Sequence, residues 1–208
     1  MSNSKETKKD QKDLNKKSIK MGLISQDSSS INVHEIFNTY FEKTKPKSYI
    51  IKDKNRFEFS LLNYPQISIT IHHFQKLEEI NDKYINYNFF LIFIDLQIST
   101  TKLFLEKAID SIVEADDNNL NKKCYIYGFY KSNENENEKI SEEKITSILE
   151  AKGIEYYYNE IILDDIESFS KLIECTINDC NTIMIEKYLA QKQSELVSDT
   201  SNSHCNIC

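Results

Sequence analysis

The stretch from Ser18 to Asn32 has the layout of a phosphate-binding loop, but it lacks the side chains that bind phosphate. An apolar run from Ile19 to Ile24 breaks into a turn of small polar residues, and an amphipathic helix follows at once. A strand, a loop and a helix in this order hold phosphate with backbone N–H groups at the helix N-terminus. Glycines normally permit the loop conformation, and a lysine supplies the charge. Both are missing here, and the candidate positions carry Ser25, Ser28, Ser29, Ser30, Ile31 and Asn32.

A second chemically distinctive stretch is the C-terminal end, His204-Cys205-Asn206-Ile207-Cys208. A cysteine four residues from the end matches the C-a-a-X pattern of prenylation. One lipid binds a membrane only reversibly, with an association constant of roughly 10⁴ M⁻¹, so stable attachment needs a second lipid or a basic patch. The segment 192–203 has no basic patch, which favours lipidation of both Cys205 and Cys208. The alternatives are an idle pair of thiols and a C-x-x-C metal site with His204 as a further ligand.

The overall charge and composition exclude several classes of protein. The chain has 208 residues and a formal net charge of −7, so no basic excess is available to neutralise nucleic-acid phosphates. Three Gly and two Pro are few, which argues against a glycine-lined ligand loop. Five cysteines without a signal peptide indicate a reducing compartment, and no apolar run reaches the ~20 residues that span a bilayer. We therefore expect a cytoplasmic protein, or one on the cytoplasmic face of an intracellular membrane.

Residue composition divides the chain into three parts. Residues 1–17 are lysine-rich and lack aromatic side chains, which predicts a disordered polar extension. Residues 18–190 contain the apolar periodic segments and predict one domain. Residues 191–208 are polar again and predict a flexible tail that carries the lipidation cysteines.

Apolar periodicity within residues 18–190 predicts an α/β sheet of six strands. Helices are predicted directly after the loop, at 101–115, at 141–153 with Ser141 as the N-cap and Gly153 as a left-handed terminating residue, and after Asp164, which can cap the last helix. The basic segment 43–55 is predicted as a linker. Tyr64-Pro65 is typical of a short turn that joins two strands as an antiparallel hairpin. The order β-α-β-β-β-α-β-α-β-α favours a mostly parallel sheet. The strands are predicted at Ile19–Ile24, Phe57–Asn63, Gln66–His72, Phe89–Leu96, Cys124–Tyr130 and Ile154–Ile162.

With this order, the early hairpin and the cysteine tail, the chain resembles the Ras superfamily of small GTPases, most closely the Rab branch. The resemblance covers Ser18 to Leu189 and the C-terminal cysteines. Phe89 to Leu96 resembles the family's I-V-Y-D-V strand, and Ile140-Ser-Glu-Glu143 resembles its V-S-x-E-E. The resemblance implies a Ras-like P-loop NTPase fold: a six-stranded, mostly parallel sheet with one antiparallel hairpin strand and helices on both faces.

The family's nucleotide motifs are degraded at every position where this chain aligns with them. G-x-x-x-x-G-K-[ST] falls on Ser25 to Asn32, so both glycines are serines, the phosphate-binding lysine is Ile31, and the magnesium-binding hydroxyl is replaced by Asn32. Gln75 stands near the place of the catalytic glutamine. The remaining motifs fall on Lys52–Arg56 for switch I, His72–Lys76 for D-x-x-G-Q, Phe129–Ser132 for N-K-x-D and Asn159–Leu163 for S-A-K.

Three hypotheses follow from these observations. The first is a pseudo-GTPase with no catalytic residues and no cofactor, tethered to a membrane through its cysteines and acting in vesicle trafficking or signalling. It would bind protein effectors or tethering factors around residues 73–88 and 43–55. The second is a divergent GTPase that still binds GTP and magnesium, using backbone N–H groups of residues 28–30. The third is an unrelated α/β regulatory domain, for which an all-parallel five-stranded sheet is expected.

Overall fold

The fold was obtained as a computed structural model, and the protein is an α/β structure built on one seven-stranded sheet. The structure describes residues 18–28, 31–46, 48–53, 55–60, 67–81, 87, 89–115, 123–132, 139–163 and 165–202. The chain divides into two compact units, residues 1–170 and 171–208. All strands of the sheet belong to the first unit.

The sheet has the order β2-β3-β4-β1-β5-β6-β7, and only β3 runs antiparallel to its neighbours. The predicted hairpin is confirmed, because β3 pairs antiparallel with β4 and Phe57 lies opposite Ile71. The mostly parallel α/β class is likewise confirmed. An all-parallel sheet of five strands, expected for the unrelated regulatory domain, is not what forms. The strands are β1 (Ser18–Ser25), β2 (Ser48–Asp53), β3 (Arg56–Ser60), β4 (Ser68–Phe74), β5 (Phe89–Asp95), β6 (Lys123–Tyr130) and β7 (Glu155–Ile162).

The prediction of six strands is wrong, because the segment 43–55 is not a linker throughout. Its second half forms β2, which pairs antiparallel with β3 and lies at the end of the sheet. Ser48 to Asp53 contains three successive apolar residues, Tyr49 to Ile51, between Ser48 and Lys52, so it shows no period-2 pattern. An edge strand needs backbone partners on one side only and tolerates flanking lysines. Pairing with β3, rather than the local pattern, makes this segment a strand.

Among the described residues, three α-helices and one 3₁₀ helix connect the strands, and a fourth α-helix follows the last strand. Gly153 follows α3 with a φ of +64°, the left-handed conformation predicted for the residue that ends this helix. Ser141 lies at the predicted N-cap position of α3, but its side chain makes no capping hydrogen bond. The helices are α1 (Val33–Thr44), α2 (Thr101–Glu114), α3 (Glu142–Ala151) and α4 (Ile166–Asn202), with the 3₁₀ helix at Leu77–Asn81.

Helices lie on both faces of the sheet. The side chains of the central strand β5 alternate between the two faces and therefore pack into two separate cores. On one face, Phe93 stacks on Phe37 of α1 at a centroid distance of 6.3 Å and meets Phe169 of α4 edge-on. On the other face, Ile92 packs in a buried cluster that includes Ile109 of α2 and Leu149 of α3. β5 is buried along its whole length, as its continuous apolar run predicts.

The three glycines serve packing and chain reversal rather than a ligand loop. A Cβ atom at Gly22 in β1 would lie 2.6 Å from the Phe90 ring, and one at Gly128 in β6 would lie 2.8 Å from Leu96. Both strands therefore need glycine where a large side chain of the buried cluster crosses them. Gly153 is needed for its positive φ instead.

The last helix begins one residue later than predicted. Asp165 accepts hydrogen bonds from the backbone N–H and the hydroxyl of Ser168, whereas the predicted cap, Asp164, lies outside the described residues. The helix crosses the boundary between the units and continues to Asn202. Among the described residues, no helix is both long and apolar enough to cross a membrane. The predicted extension 1–17 and the cysteines Cys205 and Cys208 lie outside the described residues.

Candidate functional site

The carboxyl ends of β1 and β5 form the place in this sheet where a ligand site is expected. These strands are neighbours, yet the chain leaves β1 toward β2, β3 and β4 and leaves β5 toward β6 on the opposite side. In open α/β sheets, ligands bind outside the carboxyl ends of the strands where the connections diverge in this way. The loop after β1, which contains the predicted phosphate-binding positions, begins at this point.

Gln26, the first residue of this loop, ties it to the end of β5. Its backbone N–H donates to the carbonyl of Phe93 at 2.9 Å, and its Oε1 accepts from the backbone N–H of Asp95 at 3.0 Å. The same Oε1 lies 3.1 Å from the Thr101 hydroxyl, and its Nε2 donates to the Thr100 hydroxyl at 3.3 Å. Gln26 is only 4% exposed, so these contacts satisfy its amide in a buried setting.

Ser28 makes the second link between the loop and β5. Its hydroxyl donates to Oδ2 of Asp95 at 2.7 Å, while Oδ1 of Asp95 accepts from the backbone N–H of Gln97 at 3.0 Å. Asp95 is 1% exposed, so the loop serine helps to satisfy a buried carboxyl group. The loop is thereby held by its own side chains.

The last two candidate positions have taken structural roles at the start of α1. Ile31, at the position of the phosphate-binding lysine, is buried with 7% exposure. Asn32, at the position of the magnesium-binding hydroxyl, is the N-cap of α1, and its side chain accepts from the backbone N–H of Glu35 at 3.2 Å. Ser29 and Ser30 lie outside the described residues.

A cleft of about 420 Å³ opens beside the loop, between β1, β4 and the start of α1. In its lining the hydroxyl of Ser25 lies 2.8 Å from Nε2 of His73, a residue of β4. His72 points to the other side of the sheet, where its Nδ1 lies 2.8 Å from the Tyr87 hydroxyl, because neighbouring residues of a strand face opposite sides. The cleft is lined by Ser25, Gln26, Asp27, Ser28, Ile31, Asn32, Val33, His34, His73 and Gln75.

The Ser25–His73 pair has the composition of a nucleophile and a base, but its surroundings do not activate it. Burial, with a smaller effect from His34, lowers the pKa of His73 from 6.5 to about 4, so the ring is neutral and weakly basic at pH 7. Its Nδ1 is buried and has no hydrogen-bond partner among the described residues. A catalytic histidine needs a group at that nitrogen to orient it and to stabilise its charged form. The pair therefore fits a hydrogen bond that holds β1 to β4.

The other motif positions are distributed as follows. Gln75 lines the cleft, and its Nε2 donates to Oδ1 of Asn55 at 2.9 Å. Lys131, within the predicted guanine-reading stretch, exchanges two hydrogen bonds with the Gln97 side chain through its backbone N–H and carbonyl. The stretch aligned with S-A-K, Asn159–Leu163, lies mostly within β7, which continues to Ile162 as the predicted last strand and pairs with β6.

The described residues contain no group of three or more His, Cys, Asp or Glu side chains placed to hold a metal ion. Gln26, Asp95 and Thr101 are the site residues that sequence reasoning passed over. Asp95 ends an apolar strand, and a lone acid at that point is a usable signal in a parallel sheet. Thr101 gives no such signal, because in the sequence it is only the first residue of a predicted helix. In the structure its hydroxyl also contacts the Asp95 carbonyl.

Comparison with known proteins gave no match to any family model and no match among the curated proteins.

Proposed function

We propose that this chain is a Ras-superfamily-like protein that works without a bound nucleotide, as an interaction protein rather than a switch. The observation that carries the proposal is the set of hydrogen bonds from Gln26 and Ser28 to the end of β5. The mostly parallel sheet with a single antiparallel strand after the first helix supports the resemblance on which the proposal rests.

A phosphate group in the loop would have to displace these contacts. Opening the loop would remove the Ser28 hydroxyl from Asp95, and an unsatisfied buried acceptor costs about 1–3 kcal/mol, more when it is charged. The phosphate would also approach a carboxyl group that is 1% exposed. Ile31 offers no positive charge to offset this repulsion. The loop is more stable closed on its own side chains than open around an anion.

The absence of a nucleotide changes how the protein can work. A ligand shifts a conformational equilibrium only through a difference in its affinity for the two states. Without such a ligand the domain presents the same binding surface at all times. Its interactions are then regulated by where the protein is located and by how abundant its partners are. Partners are protein effectors or tethering factors, and the membrane is reached through lipid on Cys205 and Cys208, in vesicle trafficking or signalling.

The decisive experiment is the nucleotide content of the purified full-length protein. We expect chromatography after denaturation to release well under one guanine nucleotide per chain, with an active small GTPase treated in parallel as the positive control. We also expect no rise in melting temperature with GTP and Mg²⁺. A bound ligand present at 100 times its dissociation constant would stabilise the folded protein by about 2.7 kcal/mol, so binding would be seen in this measurement. Near-stoichiometric nucleotide, or a rise of several degrees, would establish the divergent GTPase instead.

Membrane attachment is tested separately. After expression in eukaryotic cells, the wild type should partition into detergent, and the double variant Cys205→Ser with Cys208→Ser should stay in the aqueous phase. Cys175→Ser is the matched control, because Cys175 is exposed on α4 but lies outside the predicted lipidation end. Equal partitioning of the wild type and the double variant would remove the membrane tether from the proposal.

A further inference from the structure

The edge strand β2 exposes three successive apolar side chains. Tyr49 is 52% exposed, Ile50 is 55% exposed and Ile51 is 37% exposed. The strand is the last in the sheet, so the backbone groups on its outer side have no neighbouring strand in the described part of the chain. An edge of this kind is a template on which another extended chain can pair.

The side chains of β2 would contact both faces of an added strand. Tyr49 stacks on Phe41 of α1 at 4.9 Å, so Tyr49 and Ile51 lie on the α1 side of the sheet. Ile50 lies on the opposite side, where it is paired with Glu58 of β3. The pairing shifts register only between Ile51 and Asp53, which leaves Ser48 to Ile51 regular. This regular part offers apolar contact above and below a new strand.

The charge around this edge is opposite to that of the whole chain. The chain has 26 basic and 33 acidic residues, yet the segment 42–58 contains six of the basic residues and only three acids, Glu42, Asp53 and Glu58. Potentials of opposite sign attract a partner and select against wrong ones. The strand edge is therefore suited to an acidic segment.

We propose that β2 binds an extended acidic segment of a partner protein, which adds to the sheet as an eighth strand. Backbone hydrogen bonds would supply much of the affinity, apolar side chains of the partner would contact the exposed apolar side chains of β2, and its acidic side chains would be attracted by the positive charge of this segment. The inference deepens the proposed function, since it rests on the chain being an interaction protein and names the chemistry of the partner. A second copy of this chain is a poorer occupant, because pairing two β2 strands would bring two basic segments together.

The test uses a fluorescein-labelled nine-residue peptide of alternating Glu and Val, measured by fluorescence anisotropy with the full-length protein. A second peptide has the same sequence with N-methyl groups on two neighbouring central residues. Consecutive N–H groups of a strand point to opposite edges, so this change blocks pairing at both edges and leaves the charge unchanged. We expect saturable binding of the first peptide and at least tenfold weaker binding of the second.

Two pairs of variants separate charge from apolar contact. Lys52→Glu with Lys54→Glu should weaken binding about tenfold at low salt, whereas Lys107→Glu with Lys144→Glu, at exposed positions on α2 and α3, should leave it within about twofold. Ile50→Ser should weaken binding about fivefold, from the burial of one aliphatic side chain. Leu103→Ser is its control, because Leu103 is 53% exposed on α2.

Three results would overturn the inference. Equal binding of the two peptides would show attraction by charge alone, and no saturation up to about 1 mM peptide would leave less than about 4 kcal/mol of binding free energy. A doubled mass by light scattering that Ile50→Ser abolishes would identify a second copy as the occupant. The peptide result is independent of nucleotide content, so a failure here leaves the nucleotide-free proposal intact, and bound nucleotide leaves a positive peptide result intact.

Discussion

The hydroxyl of Ser28 donates a hydrogen bond to Oδ2 of Asp95 across 2.7 Å and joins the loop after β1 to the end of β5. The two residues are far apart in the sequence and meet because β1 and β5 are parallel neighbours. Their contact occupies the place where a phosphate-binding loop would hold its ligand.

Removal of this hydroxyl should destabilise the protein. We expect Ser28→Ala to lower the free energy of unfolding by about 1–3 kcal/mol, since a buried carboxyl group loses a donor. Ser147→Ala is the matched control, because the Ser147 hydroxyl only contacts a backbone carbonyl on α3 in an exposed setting, and it should cost less than about 0.5 kcal/mol. Urea denaturation of both variants measures the difference. Similar losses would show that the contact contributes no more than a surface hydroxyl.

Restoring the lysine of a phosphate loop should not restore binding. Ile31→Lys places a charge where a side chain is 7% exposed, and we expect it to cost about 2 kcal/mol or more of unfolding free energy. Ile31→Leu keeps the apolar contact and should cost less than about 1.5 kcal/mol. Thermal melts with and without GTP and Mg²⁺ check both points. A lysine variant that is as stable as the leucine variant and gains several degrees with GTP would contradict the closed loop.

Acid should weaken the fold through His73. Burial, with a smaller effect from His34, lowers its pKa from 6.5 to about 4, so the unfolded chain takes up this proton more readily than the folded chain. The stabilisation is fully present above pH 6.5 and is lost as the pH falls from 6.5 to about 4. We expect a loss of about 1–2 kcal/mol, below the full linkage value because the side chain is only partly buried.

Urea unfolding of wild type and of His73→Gln at several pH values between 7 and 4 isolates this contribution. The difference in unfolding free energy between the two proteins should shrink toward low pH, because glutamine does not titrate. An NMR titration of the His73 ring should have its midpoint near pH 4. Parallel stability curves together with a midpoint near 6.5 would refute the prediction.

Gly22 should be replaceable only at a cost in packing. A Cβ at this position would lie 2.6 Å from the ring of Phe90 and 2.9 Å from that of Phe74, and we expect Gly22→Ala to cost about 1–3 kcal/mol. Gly153→Ala is the comparison, since nothing lies within 4 Å of its Cβ and only its positive φ opposes the change, at about 1 kcal/mol. Differential scanning calorimetry compares the two. A smaller loss at Gly22 than at Gly153 would mean that the rings move aside freely.

Most of the strands and helices could be predicted from local patterns of apolar residues. The continuous apolar run of β5 and the alternation around the hairpin predicted buried and half-buried strands, because burial on one or two faces leaves a mark on every residue of the segment. The same reasoning identified the loop after β1 and the loss of its glycines and lysine. The sequence by itself therefore determined the α/β class and the antiparallel strand.

The tertiary structure decided which contacts form at the ends of the strands. The sequence does not show that Gln26 reaches Asp95, that Ser25 meets His73, or that Ser48 to Asp53 becomes an edge strand. Each of these contacts depends on which strands become neighbours. A single polar residue or a run of three apolar residues has no periodic pattern from which its partner could be predicted. Strand order is fixed by the packing of the whole sheet, so contacts between strand ends follow only once that order is known.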